Sequence, residues 1–133
     1  MGQELFGKSW RSRLDRLTAA VRTVHKALID ATRRDYERIH GRIQGPYALF
    51  SLVAQDPAFA WLQPMTRLIV ELEDLLDRKD PVLGSDDLDQ ARKQIRDLLG
   101  NEGEPFASAY REKIQQEPRV AAEHGALGPL ILP

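Results

Sequence analysis

The stretch 56–77, DPAFAWLQPMTRLIVELEDLLD, constrains the fold of this chain more than any other. At about 100° per residue, Trp61, Leu62, Met65, Leu68, Ile69, Leu72, Leu75 and Leu76 share one arc of roughly 140°. Gln63, Thr66, Glu71, Glu73, Asp74 and Asp77 fall outside it. So broad an apolar face exceeds the seam of a two-stranded coiled coil and must meet more than one neighbour. The expected architecture is therefore all-α: a single helical bundle of four main helices with one or two short ones, built around residues 64–77.

The opening of that stretch breaks the pattern. A continuous helix would put Phe59 on the polar side, and Pro64 would lose a ladder bond and crowd the carbonyl of Ala60. A short first turn followed by a kink is expected, with Asp56 as its cap and Pro57 at its first position. The kink is either the wall of a pocket or simply a corner that carries Phe59 and Trp61 into the core.

A chain of 133 residues can bury a core without staples, and residues 1–133 are read as one domain. The sequence has no cysteine, which excludes disulfide scaffolds, thiolate zinc sites, iron–sulfur clusters and cysteine nucleophiles. MGQELFGKSW lacks the apolar core of a secretory signal, and no run approaches the roughly 18 apolar residues of a membrane span. A cytoplasmic protein with no membrane association is expected. Leu5 and Phe6 stand where a myristoylation signal wants small polar residues, so lipidation is discarded.

Charge is unevenly spread. Residues 1–55 hold ten Lys/Arg against five Asp/Glu, and residues 56–133 hold nine against fifteen. Such asymmetry marks either a nucleic-acid patch or two halves that attract each other. The arginines of the first half are dispersed among Asp15, Asp30, Asp35 and Glu37, without clustered stacking residues, so nucleic acid is not the expected partner.

Trp10, Leu14, Leu17, Val21, Val24, Leu28, Ala31 and Ile39 recur at threes and fours, predicting a first helix from about Ser9 to His40 with a buried stripe. Asp35 falls on that stripe, with His25 and Tyr36 on its flank. Either a polar site lies in the core, where a carboxylate needs a partner or a raised pKa, or the stripe is already leaving the core and Asp35 is wet. Gly41, Gly45 and Pro46 then end one helix and start another.

Residues 47–53 form a short helix that is apolar nearly all round, through Tyr47, Leu49, Phe50, Leu52 and Val53. It is expected to be wedged against the central helix or used in an interface. RKDPVLG is a connector, Ser85 the expected cap of the next helix, and Leu88, Ala91, Ile95, Leu98 and Leu99 its buried face up to Gly100. Pro105 opens a helix carrying Phe106, Ala109, Tyr110 and Ile114, and Pro118 a last short one with Val120, Ala121 and His124.

The end of the chain, GALGPLILP, differs in kind. Leu127, Leu130, Ile131 and Leu132 are apolar, yet Gly125, Gly128, Pro129 and Pro133 discourage a helix. An apolar tail at 126–133 must fold back on its own bundle, dock on another copy, or meet a partner. Together with Tyr47 and Phe50, these four residues are the candidate interface.

Catalytic motifs are absent: no glycine-rich phosphate loop, no nucleotide fingerprint, no G-x-S-x-G and no H-E-x-x-H. One E-x-x-H occurs, Glu37 to His40, where a di-iron bundle needs two plus further inward glutamates. His25 and His124 could converge with Glu73 or Asp74 on a mononuclear site or an acid–base pair. The candidate polar site is thus His25, Asp35, Tyr36, Glu73, Asp74 and His124, with no metal or cofactor assigned.

HKALIDATRRDYE at 25–37, DPAFAWLQPMTRLIVELEDLLD at 56–77 and FASAYREKIQQEPRVAAEH at 106–124 together resemble a family of small, uncharacterised all-helical bacterial proteins of unknown function. The resemblance implies a bacterial cytoplasmic setting and one helical domain, and it carries no activity. The expected function is a non-enzymatic interaction or accessory protein that self-associates through a homotypic or other protein contact. The alternative is a small-ligand or metal-binding bundle with a polar site near His25, Glu73 and His124.

Overall fold

The computed structural model describes residues 2–133, with side chains from residue 9 onward. Among them there is no strand. Six α-helices follow one another: α1 (Gly2–His40), α2 (Gly45–Gln55), α3 (Gln63–Asp77), α4 (Ser85–Gly100), α5 (Pro105–Gln116) and α6 (Pro118–Ile131), with a 3₁₀ segment, Pro57–Leu62, ahead of α3.

The spine of the bundle is α1, not the 56–77 stretch. At about 1.5 Å per residue its 39 residues span nearly 60 Å, and it packs along α6, α3, the 3₁₀ segment and α4. Its helix begins at Gly2, earlier than the Ser9 start that the periodicity suggested. Leu14, Leu17, Val21, Val24 and Leu28 are buried along one side, as their spacing requires, and they belong to one continuous cluster with Leu62, Met65, Leu72, Leu88, Ile95, Phe106, Tyr110, Val120 and Leu127.

The corner at 56–64 forms as expected, and its local chemistry explains it. Asp56 Oδ1 accepts a hydrogen bond from the Ala58 N–H at 2.9 Å, and Pro57 takes the first position of the 3₁₀ segment. Because α3 proper starts at Gln63, Pro64 lies in its first turn, where a missing N–H costs no ladder bond. The change of axis rotates Phe59 into the core, where it is fully buried.

Two local expectations are corrected. Ser85 does not cap α4: Gly84 holds that place, and the Asp87 carboxylate reaches back to accept its N–H at 2.9 Å. Burial pulls the Asp87 carboxyl upward, but this N–H and the Arg78 guanidinium outweigh it and hold the group below its usual range.

The second correction concerns the C-terminal tail, which is not extended. The helix α6 runs through Gly125, Gly128 and Pro129 to Ile131. Val120, Leu127 and Ile131 continue one helical stripe, and Leu127 is 0% and Ile131 8% exposed. Burial of that stripe against α1 outweighs the glycine and proline propensities, which act near the helix end. The last carbonyls, which have no intrahelical partners, are met from α4: Arg92 Nε donates to Leu130 O at 3.1 Å, and Arg96 Nη1 donates to Ile131 O.

Candidate functional site

The six residues of the expected polar site do not converge. On the α1–α3 seam, His25 Nε2 lies 3.0 Å from Thr66 Oγ1, which is also 3.3 Å from the Leu62 carbonyl oxygen. Burial lowers the His25 pKa, which keeps the ring neutral near pH 7.

Glu73 sits on the same seam, seven residues from Thr66 and therefore roughly 10 Å further along α3. It pairs with Arg22 at 3.0 Å. Asp74 is exposed. On the other side of the bundle His124 Nδ1 and the Tyr110 hydroxyl share a hydrogen bond of 2.8 Å, and burial raises the Tyr110 pKa, so the phenol stays protonated. Among the described residues, no group of three or more His, Asp or Glu could hold a metal ion. The convergence of His25, Glu73 and His124 is thus corrected: His25 and Glu73 share the α1–α3 seam about two turns apart, and His124 lies on the seam between α5 and α6.

Asp35 and Tyr36 do come together, at the C-terminal end of α1. The Asp35 carboxylate is 2.6 Å from Lys113 Nζ and 3.0 Å from Arg38 Nη1. Tyr36 packs between His40, with centroids 4.4 Å apart, and Phe59 at 6.0 Å. Beside them lies a cleft of about 230 Å³, bordered by Thr32, Ile39 and Trp61. That is smaller than the roughly 300–1,000 Å³ of ligand pockets. The Asp35 carboxylate is held by two cations, one of them from α5, so the arrangement serves as a joint between α1 and α5. The E-x-x-H pair is equally engaged: Glu37 Oε2 accepts from the Ile43 N–H at 2.8 Å, and His40 lies on Tyr36.

Larger hollows occur elsewhere. One of about 610 Å³ between α1 and α3 is bordered by Arg11, Arg22, Glu73 and Asp77. Its three central polar groups hold the fold: Arg11 donates to the Leu76 and Arg78 carbonyls at the end of α3, and Arg22 pairs with Glu73. A groove of about 570 Å³ has Trp61 stacked on Phe106, with centroids 5.6 Å apart, and Arg67, Asn101 and Glu104 on its rim. The sequence placed Trp61 among core residues; the 3₁₀ turn leaves it half-buried.

The feature with no internal explanation is α2. Gly41 and Gly45 both adopt positive φ, +88° and +86°, conformations that glycine enters at little cost, and they swing the chain away from the axis of α1. None of the α2 residues is buried. Ala48, Leu49, Leu52 and Val53 form an inner stripe, half-covered, and the main neighbour of the helix is the 3₁₀ segment. Tyr47, Phe50, Ser51 and Ala54 form the outer stripe: Tyr47 is 90% and Phe50 75% exposed. Ile39, expected on the buried stripe of α1, is 78% exposed, because α1 has left the core by Asp35.

Of the expected interface, then, Tyr47 and Phe50 stand in solvent with Leu132, while Leu127 and Ile131 are core and Leu130 is half-buried. The ion pairs between the two halves run in both directions and leave their charge inequality unchanged. Arg22–Glu73 and Arg34–Glu117 run from basic first half to acidic second, and Asp30–Arg119 and Asp35–Lys113 run the other way.

No family model, no curated protein and no solved structure matches the chain.

Proposed function

We propose that this is a non-enzymatic interaction or accessory protein, and that its contact surface is the outer face of α2. One observation carries the reading. An eleven-residue helix without a charged side chain has no buried residue and holds two aromatic rings in water. Monomeric domains rarely keep such a patch unless it is used, because covering it removes apolar area from water at about 25 cal/mol per Å². The proposed setting is the bacterial cytoplasm. It is supported by the lack of cysteine and by the resemblance of segments 25–37, 56–77 and 106–124. Among the described residues, no helix is long and apolar enough to cross a membrane.

A photo-crosslinking amino acid, benzoylphenylalanine, in place of Phe50 tests the reading in cells. It should yield a protein adduct that is missing when the same group replaces Glu112, an exposed residue of α5. Equal yields, or none, would end it.

A small-ligand site is the second reading. It rests on the groove over Trp61 and Phe106, whose size suits a ligand. A fragment screen by NMR that moves the Trp61 indole signal while leaving Tyr47 and Phe50 unmoved would favour it.

A further inference from the structure

We infer that the occupant of the α2 face is the α2 of a second copy, the two helices antiparallel across a two-fold axis that passes between Phe50 and Ser51. This rests on the reading of α2 as a contact surface and names the partner.

The first argument is charge. A two-fold interface sets one patch against itself, so any charge within it meets its own like; a different partner imposes no such condition. Residues 43–55 contain no charged side chain, although 29% of the whole sequence is Asp, Glu, Lys or Arg. The charges return at the two ends with opposite sign, Arg42 just before the helix and Asp56 just after it. Antiparallel pairing brings the cation of one copy towards the anion of the other at both ends. Parallel pairing would bring like to like.

The second argument is phase. Tyr47, Phe50, Ser51 and Ala54 lie within about 100° of one another around the helix, and the midpoint of that set falls between Phe50 and Ser51. Two copies turned about that point bring Tyr47 of each against the small Ala54 of the other, so a large side chain meets a small one twice. The rings of Phe50 flank the axis.

The third argument is area. Large aromatic side chains bury about 150–250 Å² each. At the exposures of Tyr47 and Phe50, the two rings offer on the order of 300 Å² per copy. Through these rings a symmetric pair then buries about 600 Å², below the roughly 1,000 Å² of a stable specific interface. The pair is consequently a weak one, formed as concentration rises.

Because the sequence has no cysteine, each introduced thiol reports alone. Light scattering on the full chain should show the mass rising to twice the monomer with concentration, and Tyr47→Ser with Phe50→Ser should halve it, with a thermal midpoint unchanged at dilutions where the full chain is monomeric. Under a mild oxidant Ser51→Cys should form a covalent dimer, and Lys93→Cys, exposed on α4, should not. Tyr47→Cys should couple to Ala54→Cys in a mixture and not to itself. Coupling of Tyr47→Cys to itself overturns the antiparallel arrangement. A full chain that stays monomeric at every concentration overturns the pair altogether. In that event a benzoylphenylalanine adduct at position 50 with a different protein would preserve α2 as a contact surface, whereas no adduct would end both readings.

Discussion

Two apolar segments flanked by glycine and proline, α2 and the last eight residues, met opposite fates in this fold. Both were candidate contact surfaces, with α2 otherwise wedged against the central helix and the tail otherwise folded back on its own bundle. The end of α6 is interior, with Leu127 and Ile131 buried against the bundle, while α2 keeps Tyr47 and Phe50 in solvent. Apolar content alone does not tell which of them is buried. Phase does: Leu127 and Ile131 prolong a stripe begun at Val120 on a helix already packed on α1, so burying them needs only that the helix continue. In α2 the apolar residues surround the axis, and a helix lying on one neighbour can cover only one side of itself. Connection matters as well. Gly41 and Gly45, both at positive φ, swing the chain away from the axis of α1 before α2 begins.

The widest test of this contrast is removal of residues 126–133. As a free tail, the segment could be cut with no loss of fold. As the end of α6, its loss takes away Leu127, Ile131 and the half-buried Leu130 together. Each buried aliphatic removed costs about 2–5 kcal/mol, against a total stability of about 5–15 kcal/mol for a domain of ordinary size. The chain ending at Gly125 should show no cooperative thermal transition by circular dichroism. A folded, merely monomeric product would return the segment to the surface.

A single side chain gives a finer measure. Leu127→Ala should lower stability by about 2–5 kcal/mol, read as a shift of the urea midpoint at constant slope. The end of α6 should also depend on α4 through Arg96, which donates to the Ile131 carbonyl. Hydrogen bonds to charged groups are worth about 1.5–3 kcal/mol, and partial exposure of this one reduces Arg96→Ala to about 1 kcal/mol. Protection of the last amides of α6 from hydrogen exchange should fall in that variant and stay unchanged in α2.

How far the sequence reached follows from the same physics. Helical phase was legible wherever a stripe was long: the buried face of α1, the arc of α3 and the face of α4 were all readable before the structure. So was the corner at Asp56–Pro64, because a proline and a misplaced Phe59 conflicted with one straight helix. The ends of elements were less legible. Glycine and proline near a helix end cost little against burial, which is why α6 outran its expected stop. Ile39 matched the spacing of α1 but stood beyond the last element packed around that helix, and spacing alone says nothing of where neighbours end. The polar residues were hardest. Asp35 was found on a departing stripe, but Lys113, its partner from α5, is 78 residues away in sequence and carries no local signal. His25, Glu73 and His124 looked able to meet only because chain order does not say which seam each helix faces.

Against these losses, Phe50→Ser should change stability by no more than about 0.5 kcal/mol, and Tyr47→Ser likewise, since neither ring leaves water when the isolated chain folds. The apolar gain of folding scales with area removed from water, and at 75% and 90% exposure nearly all of each side chain remains in it. The expected result is thus an unchanged urea midpoint at dilutions where the chain is monomeric, and a lowered midpoint at high protein concentration, where the intact α2 face adds association to stability. A loss at high dilution would mean that the rings pack on the bundle and that α2 resembles α6 after all. An unchanged midpoint at both concentrations would leave the two aromatic rings without any contact to make. Concentration is the variable that separates the two segments: α6 should matter equally at every dilution, and α2 only where copies meet.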